Sequence, residues 1–223
     1  AGLNFAAAAA GSVVRGTVTP TVQAFIANSD VKAQDIAVTA SADPQLSLDA
    51  RGVAASTGSA IGVSKAIATL TPQVSASVGS GAGQKIEAGS LSISASQLLP
   101  KDANGNDLAN AEVHAVGSSG GVLLGFDATV TRVTNDGSVT AYLADGSTLQ
   151  IAGATQVQAM NHTVQLADSS SDAYGLLAVG VTLATVATDT TTLAYLGTGV
   201  KLTGGSLTVH AEGNDNNLAY TAA

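Results

Sequence analysis

The sequence predicts an all-β chain, a β-solenoid built from about four degenerate repeats. Three observations carry this expectation. First, one stretch recurs. Ala194-Tyr-Leu-Gly-Thr-Gly-Val-Lys-Leu202, running on to Leu207-Thr-Val-His-Ala211, has earlier counterparts led by Ala141, Ala76 and Ala24. The leading alanines are spaced by 52, 65 and 53 residues. Second, Ile36-Ala-Val-Thr-Ala40, Leu91-Ser-Ile-Ser-Ala95 and Leu207-Thr-Val-His-Ala211 alternate apolar and polar with period two, the mark of a half-buried strand. Third, aromatics are only 3% of the 223 residues although hydrophobic residues are 45%. A core without large rings must be thin and filled by small and β-branched side chains.

Each unit reads in the same order. A Gly-bearing apolar strand comes first: Val13-Val-Arg-Gly16, Ala60-Ile-Gly62, Leu123-Leu-Gly125 and Ala178-Val-Gly180. A Thr-rich bridge follows, opening at Thr19, Thr71, Thr134 and Thr188. Then come the Ala-led strand, a Gly turn, and the alternating strand ending in Ala. Gly146 and Gly199 occupy the turn, where a positive φ is expected because only Gly adopts it freely. Leu91, Ile93, Leu207 and Val209 share their offset from Gly89 and Gly205 and are expected inward in stacked positions. Asn135-Asp-Gly-Ser138 reads as a hairpin or a sharp corner. A period near 52 suits two turns of about 25 residues each, so four units imply roughly eight turns at ~4.8 Å spacing. The alternative is a β-sandwich of repeated hairpins.

Residues 1–223 read as one continuous repeat body, because each unit can bury its apolar face only on its neighbours. The units run roughly 11–52, 53–115, 116–172 and 173–223. The long middle interval comes from a loop insertion at 98–110, the most polar stretch with the densest turn chemistry. The Ala6–Ala10 run lacks the basic flank of a signal peptide, and the chain reads as a segment of something longer.

Charged residues are 11%, under half of the usual ~25%. The net charge is −8, with basic residues scattered from Arg15 to Lys201. That pattern argues against nucleic acid and against membrane insertion or an anionic membrane partner, which need clustered Lys and Arg or a long apolar run. Without cysteine there is no disulfide or Cys-ligated metal.

The Gly89-Ser-Leu-Ser-Ile-Ser-Ala95 and Gly205-Ser-Leu-Thr-Val-His-Ala211 strands, with their Ala leads and Gly turns, resemble the repeat region of filamentous-haemagglutinin-like large bacterial exoproteins. The resemblance covers nearly the whole chain through a degenerate motif. It implies a right-handed β-helix stalk on a bacterial cell surface, an extracellular adhesin, and it carries over no catalytic residue.

Motifs of chemistry are sparse. Asp102, Asn104, Asn106 and Asp107 form a candidate site for a weakly bound Ca²⁺, and no other cofactor is expected. The same residues suit a plain polar turn, and the spacing of Gly105 and Glu112 misses the EF-hand pattern. His114, His162 and His210 are far apart in sequence. His114 and His210 are expected to face outward, and a pair across stacked strands is the alternative. Tyr142 and Tyr195 sit at equivalent repeat positions, an architectural role rather than a sugar-binding groove. No catalytic residues are assigned and no enzyme activity is expected.

The expected function is a structural or adhesive stalk segment of a large secreted surface protein, acting in cell-surface, cell–cell or biofilm-matrix contacts. The alternatives are a self-assembling extracellular filament subunit and a carbohydrate-active β-helix enzyme. Expected partners are the chain itself or neighbouring repeats end to end, and host or bacterial surface glycans and proteins.

Overall fold

The structure, a computed structural model, describes residues 6–223. The first five residues of the expected repeat body lie outside them. Every named element is a strand. The first repeat supplies β1 (Ala7–Val18), β2 (Thr21–Ile26), β3 (Val31–Ala42) and β4 (Leu46–Ser56). The second supplies β5 (Ser59–Leu70), β6 (Gln73–Val78), β7 (Ile86–Gln97) and β8 (Ala111–Gly121). The third has β9 (Leu124–Asn135), β10 (Ser138–Leu143), β11 (Thr148–Ile151) and β12 (Thr155–Tyr174). The fourth has β13 (Leu177–Thr188), β14 (Thr191–Leu196), β15 (Lys201–Gly204) and β16 (Leu207–Ala222).

Each repeat is one layer. The first strands form a parallel sheet β1-β5-β9-β13, and the second strands form β2-β6-β10-β14. The remaining strands form one larger sheet, in which β12 is long enough to pair with both β7 and β8, and β16 pairs with β12. Ladder partners are 52 to 65 residues apart, as in Ala24↔Ala76, Ala76↔Ala141 and Ala141↔Ala194. A whole unit, not half of one, therefore makes one layer. The chain has four layers rather than eight turns, roughly 15 Å from first strand to last at ~4.8 Å per step. Pairing between named strands is parallel throughout, and β9 and β10 lie in different sheets. Asn135–Ser138 is a corner, and the sandwich of hairpins, which needs antiparallel neighbours, does not form.

Backbone bonds stack the corners as well as the strands. The Gln73, Ser138 and Thr191 amides donate to the carbonyls of Pro20, Pro72 and Gly137 at 2.8–2.9 Å. At the next corner each layer places one residue in the left-handed region: Asn28 (φ 51), Gly83 (φ 76), Gly146 (φ 68) and Gly199 (φ 72). The expectation for Gly146 and Gly199 holds for a steric reason, since a Cβ at positive φ crowds its own backbone.

Two apolar compartments fill the interior. Val74, Val78, Ile86, Leu91, Ile93, Leu143 and Leu149 pack in the first. The second is built of smaller residues, with Ala50, Ala66, Ala68, Ala111, Ala115 and Ala167 around Leu70, Val113 and Val133. Leu91 and Leu207 share a column with Thr155 between them, and Ile93 and Val209 share one with Val157. Leu207 and Val209 are 45% and 41% exposed, because no layer covers them from above. The four Gly-bearing apolar clusters align less well. Gly62 and Gly180 fall in one column, but Gly125 pairs with Ala60 and Gly16 with Ala68. The residue between Gly62 and Gly180 is Asp127.

The loop at 98–110 replaces the three residues 43–45 that join β3 to β4 in the first layer. Asn110 fastens its base. Its side-chain amide donates to the carbonyls of Pro44 and Leu98, and its Oδ1 accepts the Val164 amide at 3.0 Å.

A Cβ on Gly199 would meet nothing closer than the Gly146 Cα at 4.0 Å, so substitution there tests the backbone alone. Gly199→Val is expected to destabilise by about 1 kcal/mol or more. Chemical denaturation checks it; an unchanged midpoint would refute the left-handed corner.

Candidate functional site

A surface concavity lies where the third strands of the last two layers break. β11 ends at Ile151 and resumes as β12 at Thr155; β15 ends at Gly204 and resumes as β16 at Leu207. Gly89, Gly153 and Gly205 stack at this bend, the Gly153 amide donating to the Gly89 carbonyl at 2.7 Å. A Cβ on Gly89 would sit 2.6 Å from the Gln34 carbonyl oxygen, so the close approach requires Gly. A hollow of about 470 Å³ lies at this break, and a second of about 660 Å³ at the corner before β3, β7 and β11 shares Lys32 and Glu87 with it.

Register lines the hollow with a polar ladder, Lys32–Glu87–Gln150–Thr203, one residue from each layer. Glu87 is bracketed by Lys85, in very close contact, and by Lys32 at 3.2 Å. Hydrogen bonds from Lys85 and Lys32 hold its carboxyl below the usual carboxylate range, and the same contact raises Lys85. Asp30 accepts the Lys85 backbone amide at 2.7 Å. Glu87 is thus a charged anchor, and Gln150 and Thr203 offer neutral donors and acceptors. The arrangement suits hydrogen bonding to a hydroxyl- or amide-rich chain laid across the layers.

The candidate calcium residues are turn fasteners in this structure. Asp102 accepts the Asn104 and Asn106 amides, each at 2.8 Å, and the Asn106 side-chain amide at 2.9 Å. The Asn106 bonds hold its carboxyl low. Gly105 takes φ 84, and Asp107 pairs with Lys101 at 2.5 Å. No group of three or more His, Asp or Glu gathers in a metal-holding arrangement among the described residues.

The histidines do not stack on one another. His114 faces Asp49 and Asp168, while His210 pairs in register with Gln158 and His162 with Asn214. His114 lies 2.9 Å from Glu112 and 3.5 Å from Asp168, and its pKa is raised, first by the Glu112 hydrogen bond. Tyr142 and Tyr195 stack at 5.1 Å with planes 4° apart, a rung of the ladder on the outer face.

Sequence reasoning missed Asp127. It is fully buried, and neither carboxylate oxygen has a hydrogen-bond partner of good geometry. Burial pushes its pKa up; the nearby Ala128 and Asp172 amides pull the other way, and the Asp172 charge adds to the rise. Its carboxylate fills space left by two glycines. A Cβ on Gly62 would come within 2.7 Å of Oδ1, and one on Gly117 closer still. The available signal was positional: in the column where two other layers carry Gly, this layer carries an acid.

No known protein family, curated protein or solved structure matches the chain.

Asp127 sets a pH dependence. Its raised folded pKa favours the fold fully only below the unfolded value of ~3.9. That contribution is lost as pH rises through the folded pKa. Asp127→Asn should therefore match the native chain near pH 3 and exceed it in stability at pH 7. Thermal melts across that range check this; equal stability of the two at pH 7 would refute it. Gly117→Ala should destabilise by about 1–3 kcal/mol through overpacking.

Proposed function

We propose that the chain is a stalk segment of a large secreted bacterial surface protein, a right-handed β-solenoid of the filamentous-haemagglutinin-like type. It would stand on the cell surface and make adhesive contacts with neighbouring cells, host surfaces or biofilm matrix. One observation carries the reading: four units stack in register, each continuing the ladders of the one before, so length grows by adding layers. Such a body supplies reach, and its repeated rows supply broad, shallow contact surfaces. The Lys32–Glu87–Gln150–Thr203 hollow fits a surface polysaccharide or glycan lying across the layers. Held ionised between two lysines, Glu87 suits an anchor for such a chain and not a general acid.

A second reading is a self-assembling filament subunit. It is favoured by the outermost strands. β1 and β2 at one end, and β13 and β14 at the other, have ladder partners on one side only. Stacking another layer on either end would continue each ladder, with Phe25 following Tyr195 in the aromatic row. Neighbouring repeats or a second copy would both serve.

An array of bacterial and plant polysaccharides tests the stalk reading. Binding without released product is expected, retained through single substitutions such as Gln150→Ala and lost on deleting a whole layer. EDTA is expected to leave the fold intact. Product release abolished by Glu87→Gln would transfer the chain to the carbohydrate-active enzymes. Sedimentation velocity separates the filament reading: association that rises with concentration supports it, and a strict monomer opposes it.

A further inference from the structure

The outer side of the β1-β5-β9-β13 sheet differs in kind from the rest of the surface. Alternation sends every second residue of these strands outward, and the register lines them up. Ile61 stands beside Phe126, Val63 two places along aligns through Ala128 with Val181, and Val130 lies beside Leu183. These side chains are not covered: Val181 and Leu183 are each 54% exposed, and Ile61 48%. The adjoining corner adds Val122, Leu123, Leu176 and Leu177, all exposed. An apolar area beyond a few hundred Å² on one face generally marks a contact surface.

Within the four strands this face carries charge of one sign, and the acids Asp136 and Asp189 stand just past the ends of β9 and β13, at the corner. Arg15 and Arg132 occupy one outward column, separated by Ile67, and Lys65 stands in the next column. No outward position of the four strands is Asp or Glu. Elsewhere Lys32, Arg51, Lys85 and Lys101 each pair with an acid. Among the described residues no ion pair engages Arg15, Lys65 or Arg132. These cations are 50 and 67 residues apart in sequence, so composition hides what the register assembles.

We propose that this flat face rests on an anionic bilayer surface, its aliphatic side chains in the headgroup boundary and its three cations among the lipid phosphates. Two other occupants fit less well. A second copy docked squarely by the same face would set the three cations against cations, with Asp136 and Asp189 confined to the corner. A polar acidic protein would leave Ile61 and Phe126 facing polar groups. An anionic bilayer meets both the charge and the apolar surface. The chain's net charge of −8 does not forbid this, since fields from the other faces are screened beyond ~8 Å at physiological salt. The proposal concerns adsorption, not crossing, and does not rest on the stalk reading.

Flotation with phosphatidylcholine vesicles, with and without one part in three or so phosphatidylglycerol, tests it, folding of each variant being checked by far-UV circular dichroism. The native chain is expected to float with the anionic vesicles and not with the neutral ones, less so at high salt. R15Q/K65Q/R132Q should weaken that partition by about tenfold or more. I61S/F126S, which keeps the charges, should weaken it as well. Failure to float with anionic vesicles would overturn the proposal, as would flotation indifferent to both variants. A lipid-free dimer that Phe126→Ser dissolves would assign the face to a second copy instead.

Discussion

Register between layers is the constraint on which this structure depends. A strand has a side-chain period of two, so a slip of one residue would exchange the inner and outer faces of a whole layer. The inner columns resist that slip. Ile36 over Leu91 and Val38 over Ile93 place β-branched and long aliphatic groups in line, and Ala40, Ala95, Ala159 and Ala211 close the same rows. The corners fix the phase independently, through backbone bonds from Gln73, Ser138 and Thr191 and through one left-handed residue per layer. Because the strands and corners agree, each layer is positioned by its neighbour rather than by a core of its own.

The interior is not uniform. The aliphatic compartment around Leu91 and Leu143 is apolar and closed, whereas beside the alanine-rich compartment the facing strands approach through Gly52, Gly62 and Gly117. Into that narrow space the third layer inserts hydroxyls and an acid. Ser169 donates to Thr129 at 2.8 Å, while the side chains of Asp127, Thr131 and Ser171 are buried without partners. Buried polar atoms left unmade cost stability. The third layer therefore gains from the second and fourth the tolerance that their glycines provide, and the layers are not interchangeable.

What the sequence disclosed follows the same division. The Ala leads, the Gly146 and Gly199 corner and the alternating strands were legible, because backbone geometry and a half-buried face impose them on local sequence. The number of layers was not, since a period says how often a pattern recurs and not how many strands lie in one recurrence. The Gly-bearing clusters misled because Gly serves two purposes here: close packing at Gly62 and a corner at Gly146. The Lys32–Glu87–Gln150–Thr203 ladder and the cations on the outer sheet were invisible for a different reason. Their members are adjacent only through register, and a strand offset of one or two residues, which local patterns do not fix, would have scattered them.

The loop at 98–110 leaves and re-enters the stack at a point where the next layer, the unbroken β12, passes straight through. Its base is held by Asn110 and its tip by Asp102 with the Lys101–Asp107 pair, so almost nothing outside the loop leans on its interior. The stack thus has a socket whose contents are decoupled from its folding. Sequence can drift there, lengthen, or be replaced by a foreign epitope, while the ladders on either side keep their phase. A molecule otherwise bound to strict periodicity has in this one place a means of varying what it displays.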